Sequence, residues 1–412
     1  MDFEDSPEEA AFRSEVRAWL DANAKPRTTR VASDPMDERS DPEQMAKARV
    51  WQKTKAEKGY ARITWPKGMG GIGGTPMQNI IYGQEESKYD VPAGSAFAIG
   101  LGMCIPTVMT YCGDETKARY VKPAVEGTEI WCQLFSEPAG GSDVAALRTK
   151  AEKNGDTWTI NGSKIWTTGA QYSDHGLLLT RTDPNAPKHK GLTMFYLSMK
   201  SPGVEVRPIK QASGSSGFNE IFFTDVKIPD SQRVGEVGQG WQVALTTLMH
   251  ERLAVGGGQG GGLDVPQLMQ LARTLELEDG PAIKNAAVRE KIADWYVRSA
   301  GLKYTTLRTM TALSRGQQPG PEASVAKIVV ASKLQDISAF AMELEGETGV
   351  LTGESAPMHG SFQGGWLGAP GLRIAGGTDE ILRNIIAERV LGLPGDIRVD
   401  KDVPFNKVPT GR

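Results

Sequence analysis

The residues best able to do chemistry lie in two short segments, Phe135-Ser136-Glu137-Pro138-Ala139-Gly140-Gly141-Ser142-Asp143 and Lys164-Ile165-Trp166-Thr167-Thr168-Gly169-Ala170. Gly140 and Gly141 let backbone N–H groups approach a ligand closely, and the hydroxyls of Ser136 and Thr168 offer short, rotatable hydrogen bonds. The indole of Trp166 is broad enough to cover a flat ring. Taken singly, the segments read as a Gly/Ser/Pro surface turn and a strand carrying one core Trp. Taken together at this spacing, they argue against that bland reading.

Three blocks must position these segments. Up to residue 129 the chain reads as helices joined by Pro/Gly loops. Pro7 stands near the start of the first amphipathic run, a second run crosses Met45 to Lys58 before Gly59, and a third crosses Met77 to Tyr89. Over 130–238 short segments of alternating polarity (Thr157 to Ile160, Gly176 to Arg181, Thr193 to Ser198, Glu220 to Ile228) predict an antiparallel β insertion. Over 239–395 the helical period returns, with runs at Trp241 to Val255, Ala286 to Arg315, Glu322 to Glu345 and Thr378 to Val390. Glu276 to Pro281 and Gly346 to Pro370 read as connections, and 396–412 as a polar tail, surface-bound or mobile.

The 412 residues suffice for two or three domains, and 47 basic against 50 acidic side chains, net −3, supply no field to draw nucleic acid or an anionic membrane. Cys104, Cys112 and Cys132 show neither CxxC spacing nor a nearby His, which disfavours a disulfide scaffold and zinc and fits a reducing cytoplasm. Met1 to Pro26 is acidic and amphipathic, with Phe12, Val16, Trp19 and Leu20 at helical spacing, unlike a secretory signal. No window reaches transmembrane length, so a soluble protein is expected.

Two runs satisfy G-x-G-x-x-G, Gly68 to Gly73 and Gly256 to Gly261. That fingerprint holds a dinucleotide only as the turn between a strand and a helix. The first run follows Trp65-Pro66 in a loop and the second interrupts a helical segment, so neither predicts a Rossmann unit.

With the two opening segments and the helical–β–helical order, the chain resembles the acyl-CoA dehydrogenase family of flavoproteins over nearly its whole length. The resemblance implies an α+β fold: an N-terminal helical domain, a central antiparallel, barrel-like β domain and a C-terminal four-helix bundle. It implies bound FAD, with Leu134, Phe135, Ser136, Trp166 and Thr168 at the isoalloxazine and Thr378 and Glu380 meeting the cofactor near a helix N-terminus, where N–H groups favour anions. Ser142 carries over as a contact to the pantetheine arm of the acyl-CoA substrate. The implied setting is a cytoplasmic homotetramer or heterotetramer that passes electrons to an electron-transfer flavoprotein.

In the family a carboxylate removes the α proton of a thioester while flavin N5 takes a hydride from the β carbon. The carbonyl must also be polarised and water excluded. Many members place the glutamate base directly before Gly-Thr near the C-terminus. Here that text is Ala375-Gly376-Gly377-Thr378, and a glycine abstracts no proton. Some members acting on branched or long chains carry the base on the helix after the β domain, before an Arg, and this chain reads His250-Glu251-Arg252-Leu253 there. Glu251 is therefore the expected base, with Asp379 or Glu380 as fallback. Arg252, Gly376 and Gly377 are expected at the substrate, whereas His250, Asn219 and Glu220 read as structural.

One family feature is missing. The Arg-x-x-Phe segment that completes the adenine and pyrophosphate site from a neighbouring subunit is replaced by Glu278-Asp279-Gly280-Pro281-Ala282-Ile283-Lys284, leaving Arg273 or Arg289 as weak substitutes. Two further readings follow: a partner subunit with an incomplete site, and a relative with altered chemistry, such as nitroalkane oxidation or sulfinate removal.

Overall fold

A computed structural model describes residues 5–27, 41–92, 94–256, 263–314, 320–321, 324–395, 397–400 and 402–408, with backbone alone at 251–256, 310, 313–314 and 354. The chain divides into two compact units. One comprises Met1–Asp34, Thr75–Val91 and Val255–Pro394; the other comprises Pro35–Gly74, Pro92–Ala254 and Gly395–Arg412.

The first unit is helical. Its opening helix, Pro7–Asn23, begins with a capping box in which Ser6 and Glu9 exchange side-chain-to-backbone hydrogen bonds. It buries Phe12, Val16 and Leu20. A second capping box, Thr75 with Gln78, starts the helix Pro76–Glu86. This helix ends sooner than the sequence suggested, because Tyr89 leaves it to pair with Pro26 in a two-residue ribbon. Glu85 is fully buried and meets Arg13 at 2.9 Å, Arg17 at 3.2 Å and Lys88 at 2.8 Å. Burial pushes its carboxyl upward, but hydrogen bonds from Arg17, Lys88 and Arg13 outweigh that and hold it at about 2.

The later helices of this unit are Val265–Thr274, Ala286–Ser314, Ser324–Glu345, Ser361–Ile374 and Asp379–Arg389. They enclose a core that includes Leu268, Ile292, Trp295, Ile337 and Phe362. The helix Ser361–Ile374 corrects the expectation of a connection through Pro370. Its glycines and internal proline weaken any local helical signal, yet close packing demands them: a Cβ on Gly365 would stand 2.6 Å from both Leu263 Cδ1 and Ser338 Oγ. The connection at Glu276 to Pro281 is a small ribbon of Glu276–Leu277 against Gly280–Pro281.

The second unit joins helices to a sheet. Its helix Pro42–Lys58 is stopped by Gly59 in the left-handed conformation, φ 82°. Helical residues 95–111 then include a π-helical turn at Gly100–Cys104, packed against Trp131. The glycine run at 68–73 is a tight turn rather than a nucleotide loop, since a Cβ on Gly71 would lie 2.1 Å from the Trp65 carbonyl. Residues 257–261 of the second run lie outside the described residues.

Eight strands form the sheet among the described residues. Along it run Arg233–Val234, Leu192–Ser198, His175–Arg181, Lys150–Asn154, Thr157–Thr168, Phe218–Pro229 and Val204–Ile209. The expected antiparallel pattern holds for most pairs, with two corrections: Trp131–Leu134 pairs in parallel with His175–Arg181, and Lys150 pairs in parallel with Arg181. The loop 135–149 and a further hairpin separate Trp131–Leu134 from its partner, the long connection that a parallel pair requires. The helix Gly240–Gly256 leaves this unit tied at its first turns, where Thr247 meets Thr107 and Thr246 meets Tyr111, both at 2.9 Å.

Candidate active site

The loop that leaves the sheet at Leu134 is anchored by a buried ion pair. Leu134 and Phe135 are buried, and the chain then turns so tightly that Glu137 and Gly140 exchange backbone hydrogen bonds of 3.0 and 2.9 Å. The Glu137 carboxylate accepts from the backbone N–H groups of Arg148 at 2.6 Å and Thr149 at 2.8 Å, and from Lys164 Nζ at 2.8 Å. Lys164 is fully buried and also donates to the Phe135 carbonyl at 3.0 Å. Burial pulls Lys164 down to about 8. The same burial raises Glu137, but the Lys164 charge and the converging hydrogen bonds outweigh it and hold the carboxyl below its usual range. Near neutral pH the pair is ionic.

This pair ties the two opening segments of the sequence together, and Ile165 N–H adds a bond of 2.9 Å to the Ser136 carbonyl. Phe135 and Ser136 are thus held against Lys164 and Ile165, on the strand that carries Trp166 and Thr168. Neither Glu137 nor Lys164 was assigned a role from sequence, although a signal existed. Inward positions of the strand Thr157–Thr168 carry Trp158, Ile160 and Lys164. A lysine in phase with apolar residues requires a buried acceptor.

Trp166 is the most unusual residue of the strand. The pairing of Thr157–Thr168 with Phe218–Pro229 slips between Lys164 and Thr167, and Trp166 sits there with φ 59°. A bulky side chain in the left-handed region is strained and persists only where its surroundings over-determine it. The slip turns the indole outward, 56 % exposed, with the Phe218 ring edge-on at 6.0 Å. Thr167 Oγ1 and Asn219 Oδ1 are buried without hydrogen-bond partners. The Asn219 amide donates to the Thr167 carbonyl at 3.1 Å, linking the two paired strands. The half-buried Thr168 pairs with Phe218.

Ser142 is exposed on the same loop. Glu251 and Arg252 lie on the helix Gly240–Gly256, their side chains outside the described set. The preceding His250 is half-buried, and burial together with the Arg62 cation keeps it below the ordinary imidazole range, so it is neutral near pH 7.

The remaining expected site residues form a second group, in the helical unit. Gly376 and Gly377 both adopt positive φ, 65° and 92°. Thr378 caps the helix Asp379–Arg389, its hydroxyl accepting from Ile381 N–H at 3.2 Å. Asp379 is buried, bonded to Arg373 at 2.7 Å, with Lys327 at 3.8 Å. Lys327 Nζ also donates to the Gly377 carbonyl at 2.7 Å. Asp379 is thereby committed to cations. Glu380 is exposed, and hydrogen bonds from its own backbone N–H and the Thr378 hydroxyl hold its carboxyl below the ordinary range. A catalytic base is better served by a raised pKa.

Comparison with known proteins places this geometry. Three family models match: acyl-CoA dehydrogenase N-terminal domain over residues 6–128, middle domain over 132–226 and C-terminal domain over 238–391. The acyl-CoA dehydrogenase IpdE1 of Mycobacterium tuberculosis is 32 % identical over 389 residues, covering 94 % of this chain and 98 % of that protein. FadE34 of the same organism is 34 % identical over 339 residues, 82 % of this chain, and the match spans only 45 % of that longer protein. A solved structure, the Tcur3481-Tcur3483 steroid ACAD, superposes with a TM-score of 0.80 at 25 % identity, covering 96 % of this chain and 100 % of that one.

The chain belongs to the acyl-CoA dehydrogenase family. Its members are FAD-dependent flavoproteins, oxidoreductases that act on acyl-CoA. The residues present fit such a group: the outward indole on strained backbone offers a flat cover, and the half-buried Ser136 and Thr168 carry hydroxyls in the same two segments. Among the described residues no cluster of His, Cys, Asp and Glu is suited to a metal, and no helix is long and apolar enough to cross a membrane. All three cysteines are free.

Proposed function

We propose that this chain catalyses FAD-dependent α,β-dehydrogenation of an acyl-CoA thioester with Glu251 as the base. The observation that carries the choice of base is the fate of the alternatives. Gly376 has no side chain, Asp379 is buried among cations, and Glu380 is exposed with a lowered pKa. Glu251 remains, on a helix whose first turns are fixed to the sheet-bearing unit by Thr107 and Tyr111.

In this reading Leu134, Phe135, Ser136, Trp166 and Thr168 hold the isoalloxazine, Thr378 and Glu380 meet the cofactor at a helix N-terminus, and Ser142 and Arg252 contact the CoA portion. Gly376 and Gly377 offer only backbone to the substrate. The bound flavin supplies a two-electron acceptor for the β hydride. Glu251 takes the α proton, and desolvation beside an apolar acyl chain raises its pKa toward the working pH. The similarity to a steroid ACAD and the displaced base support a bulky acyl group. Electron-transfer flavoprotein is the proposed acceptor and the cytoplasm the proposed site of action. The test is a panel of acyl-CoA esters with an artificial electron acceptor, run on wild type and Glu251→Gln: turnover by wild type and none by the flavin-loaded variant supports the assignment.

A second reading, a subunit that shares its cofactor pocket with a different chain in a heterotetramer, has its own support. Where Arg-x-x-Phe is expected, the chain forms the ribbon at 276–281, and Arg273 and Arg289 are exposed on flanking helices. The steroid ACAD above also carries two protein names. The visible spectrum of the protein purified alone separates the cases: about one flavin per chain supports a homotetramer, and a colourless preparation supports the shared pocket.

A further inference from the structure

The described C-terminal residues form a strap across the β unit. Phe405 N–H donates to the Ala186 carbonyl at 3.0 Å and Asn406 N–H to the Pro184 carbonyl at 2.9 Å, while Pro404 pairs with Pro187. The Asn406 amide adds a bond to Asn185 Oδ1 at 2.9 Å. The tail therefore zips along the connection between strands His175–Arg181 and Leu192–Ser198. Asp400 pairs with Lys188, whose Nζ also reaches Asp143 at 2.9 Å.

Arg181 joins these segments. It is 4 % exposed, and its guanidinium donates to the carbonyls of Lys188, Ala145 and Leu147, with Nε unpartnered. A cation buried among carbonyls, without a hydrogen-bonded carboxylate, needs its remaining surface shielded. Phe405 supplies that cover, its ring centroid 3.8 Å from Arg181 Cζ, stacked as guanidinium and aromatic faces prefer. Of the groups so held, the Ala145 and Leu147 carbonyls and the Asp143 carboxylate belong to the segment directly after Ser142. Gly140, Gly141 and Ser142 thus hang between two anchors: Glu137 on Lys164 at one end, and the Arg181–Lys188 hub under the strap at the other. A loop with two glycines loses much freedom when it closes on a ligand, and anchoring it beforehand lowers that cost.

We propose that the C-terminal strap, through Phe405 on Arg181 and Asp400 on Lys188, is a positioning element that orders the Ser142 loop and so sets affinity for the pantetheine arm of coenzyme A. The inference rests on the reading of Ser142 as a pantetheine contact. Its test combines two measurements on the holoprotein with any co-purifying chain: binding of free coenzyme A by calorimetry, and hydrogen exchange over residues 140–147. Phe405→Ala is expected to weaken coenzyme A binding about tenfold and to speed exchange in the loop, with flavin content unchanged. Phe405→Tyr, which keeps the ring, restores both.

Unchanged exchange in Phe405→Ala, faster exchange with unchanged affinity, or an affinity loss that merely follows flavin loss overturns the proposal. Ser142→Ala separates its failure from that of the underlying reading. If Ser142→Ala weakens coenzyme A binding and Phe405→Ala does not, only the strap falls. If neither variant changes it, or if wild type binds no coenzyme A, the Ser142 contact falls and the strap with it.

Discussion

Replacing Lys164 by Met leaves the Glu137 carboxylate in place, 7 % exposed, without its counter-charge. The side-chain volumes are similar, so the effect is electrostatic rather than a cavity. Breaking a buried ion pair from one side costs about 3–5 kcal/mol. Two backbone N–H donors, at 2.6 and 2.8 Å, still serve the carboxylate and place the expected loss near the lower end, about 3 kcal/mol. The Phe135 carbonyl loses its donor as well, so the loop that leaves the sheet at Leu134 loosens. Equilibrium urea unfolding, followed by indole fluorescence and flavin absorbance, reads both effects. The double variant Lys164→Met/Glu137→Gln recovers part of the loss by removing the stranded charge. The sign with pH is fixed by the lowered Glu137 carboxyl: the unfolded chain takes up that proton first on acidification. Its contribution is whole above the ordinary glutamate range and fades as pH falls through the lower folded value. A loss below about 1 kcal/mol in Lys164→Met, the size of an exposed pair, refutes the reasoning.

Other outcomes follow from single contacts. Gly376→Ala destabilises by about 1–2 kcal/mol because φ 65° is left-handed, and Gly376→Glu in a Glu251→Gln background fails to restore wild-type turnover; thermal melts and steady-state assays check the two. Thr378→Ala removes the acceptor for Ile381 N–H and costs about 1 kcal/mol in thermal or urea unfolding. Glu85, held at about 2 by three cations, contributes its full stability above its ordinary range and loses it as pH falls toward 2. Glu85→Gln therefore flattens the acid limb of the unfolding profile, seen by helical circular dichroism against pH.

Much of this was legible in the residues, for identifiable reasons. The first helix start declared itself through Pro7, where a proline acts locally, whereas the caps at Ser6 and Thr75 emerged only in the fold. The strands announced themselves by alternation, and the pairing of the Ser136 and Trp166 segments by their residue types. What stayed hidden depends on distant partners. The helix Ser361–Ile374 exists because Gly365 lets it press on Leu263 and Ser338, a tertiary fact that no local propensity carries. The left-handed Trp166 arises from a register slip against Phe218–Pro229, and the strap from an arginine more than two hundred residues upstream of Phe405. The roles of Glu137 and Lys164 were within reach, since a lysine at an inward strand position has to find a carboxylate.

The central claim is that the carboxylate of Glu251 removes the α proton. Rapid mixing of the flavin-loaded protein with the best acyl-CoA of the panel, in single turnover, measures this step through bleaching of the flavin absorbance. Glu251→Gln is expected to keep its flavin and its affinity for the ester while the bleaching rate falls by at least about a thousandfold, within the range for loss of a general base. Bleaching at close to the wild-type rate in that variant would contradict the account and return the search for the base to the helix beginning at Asp379.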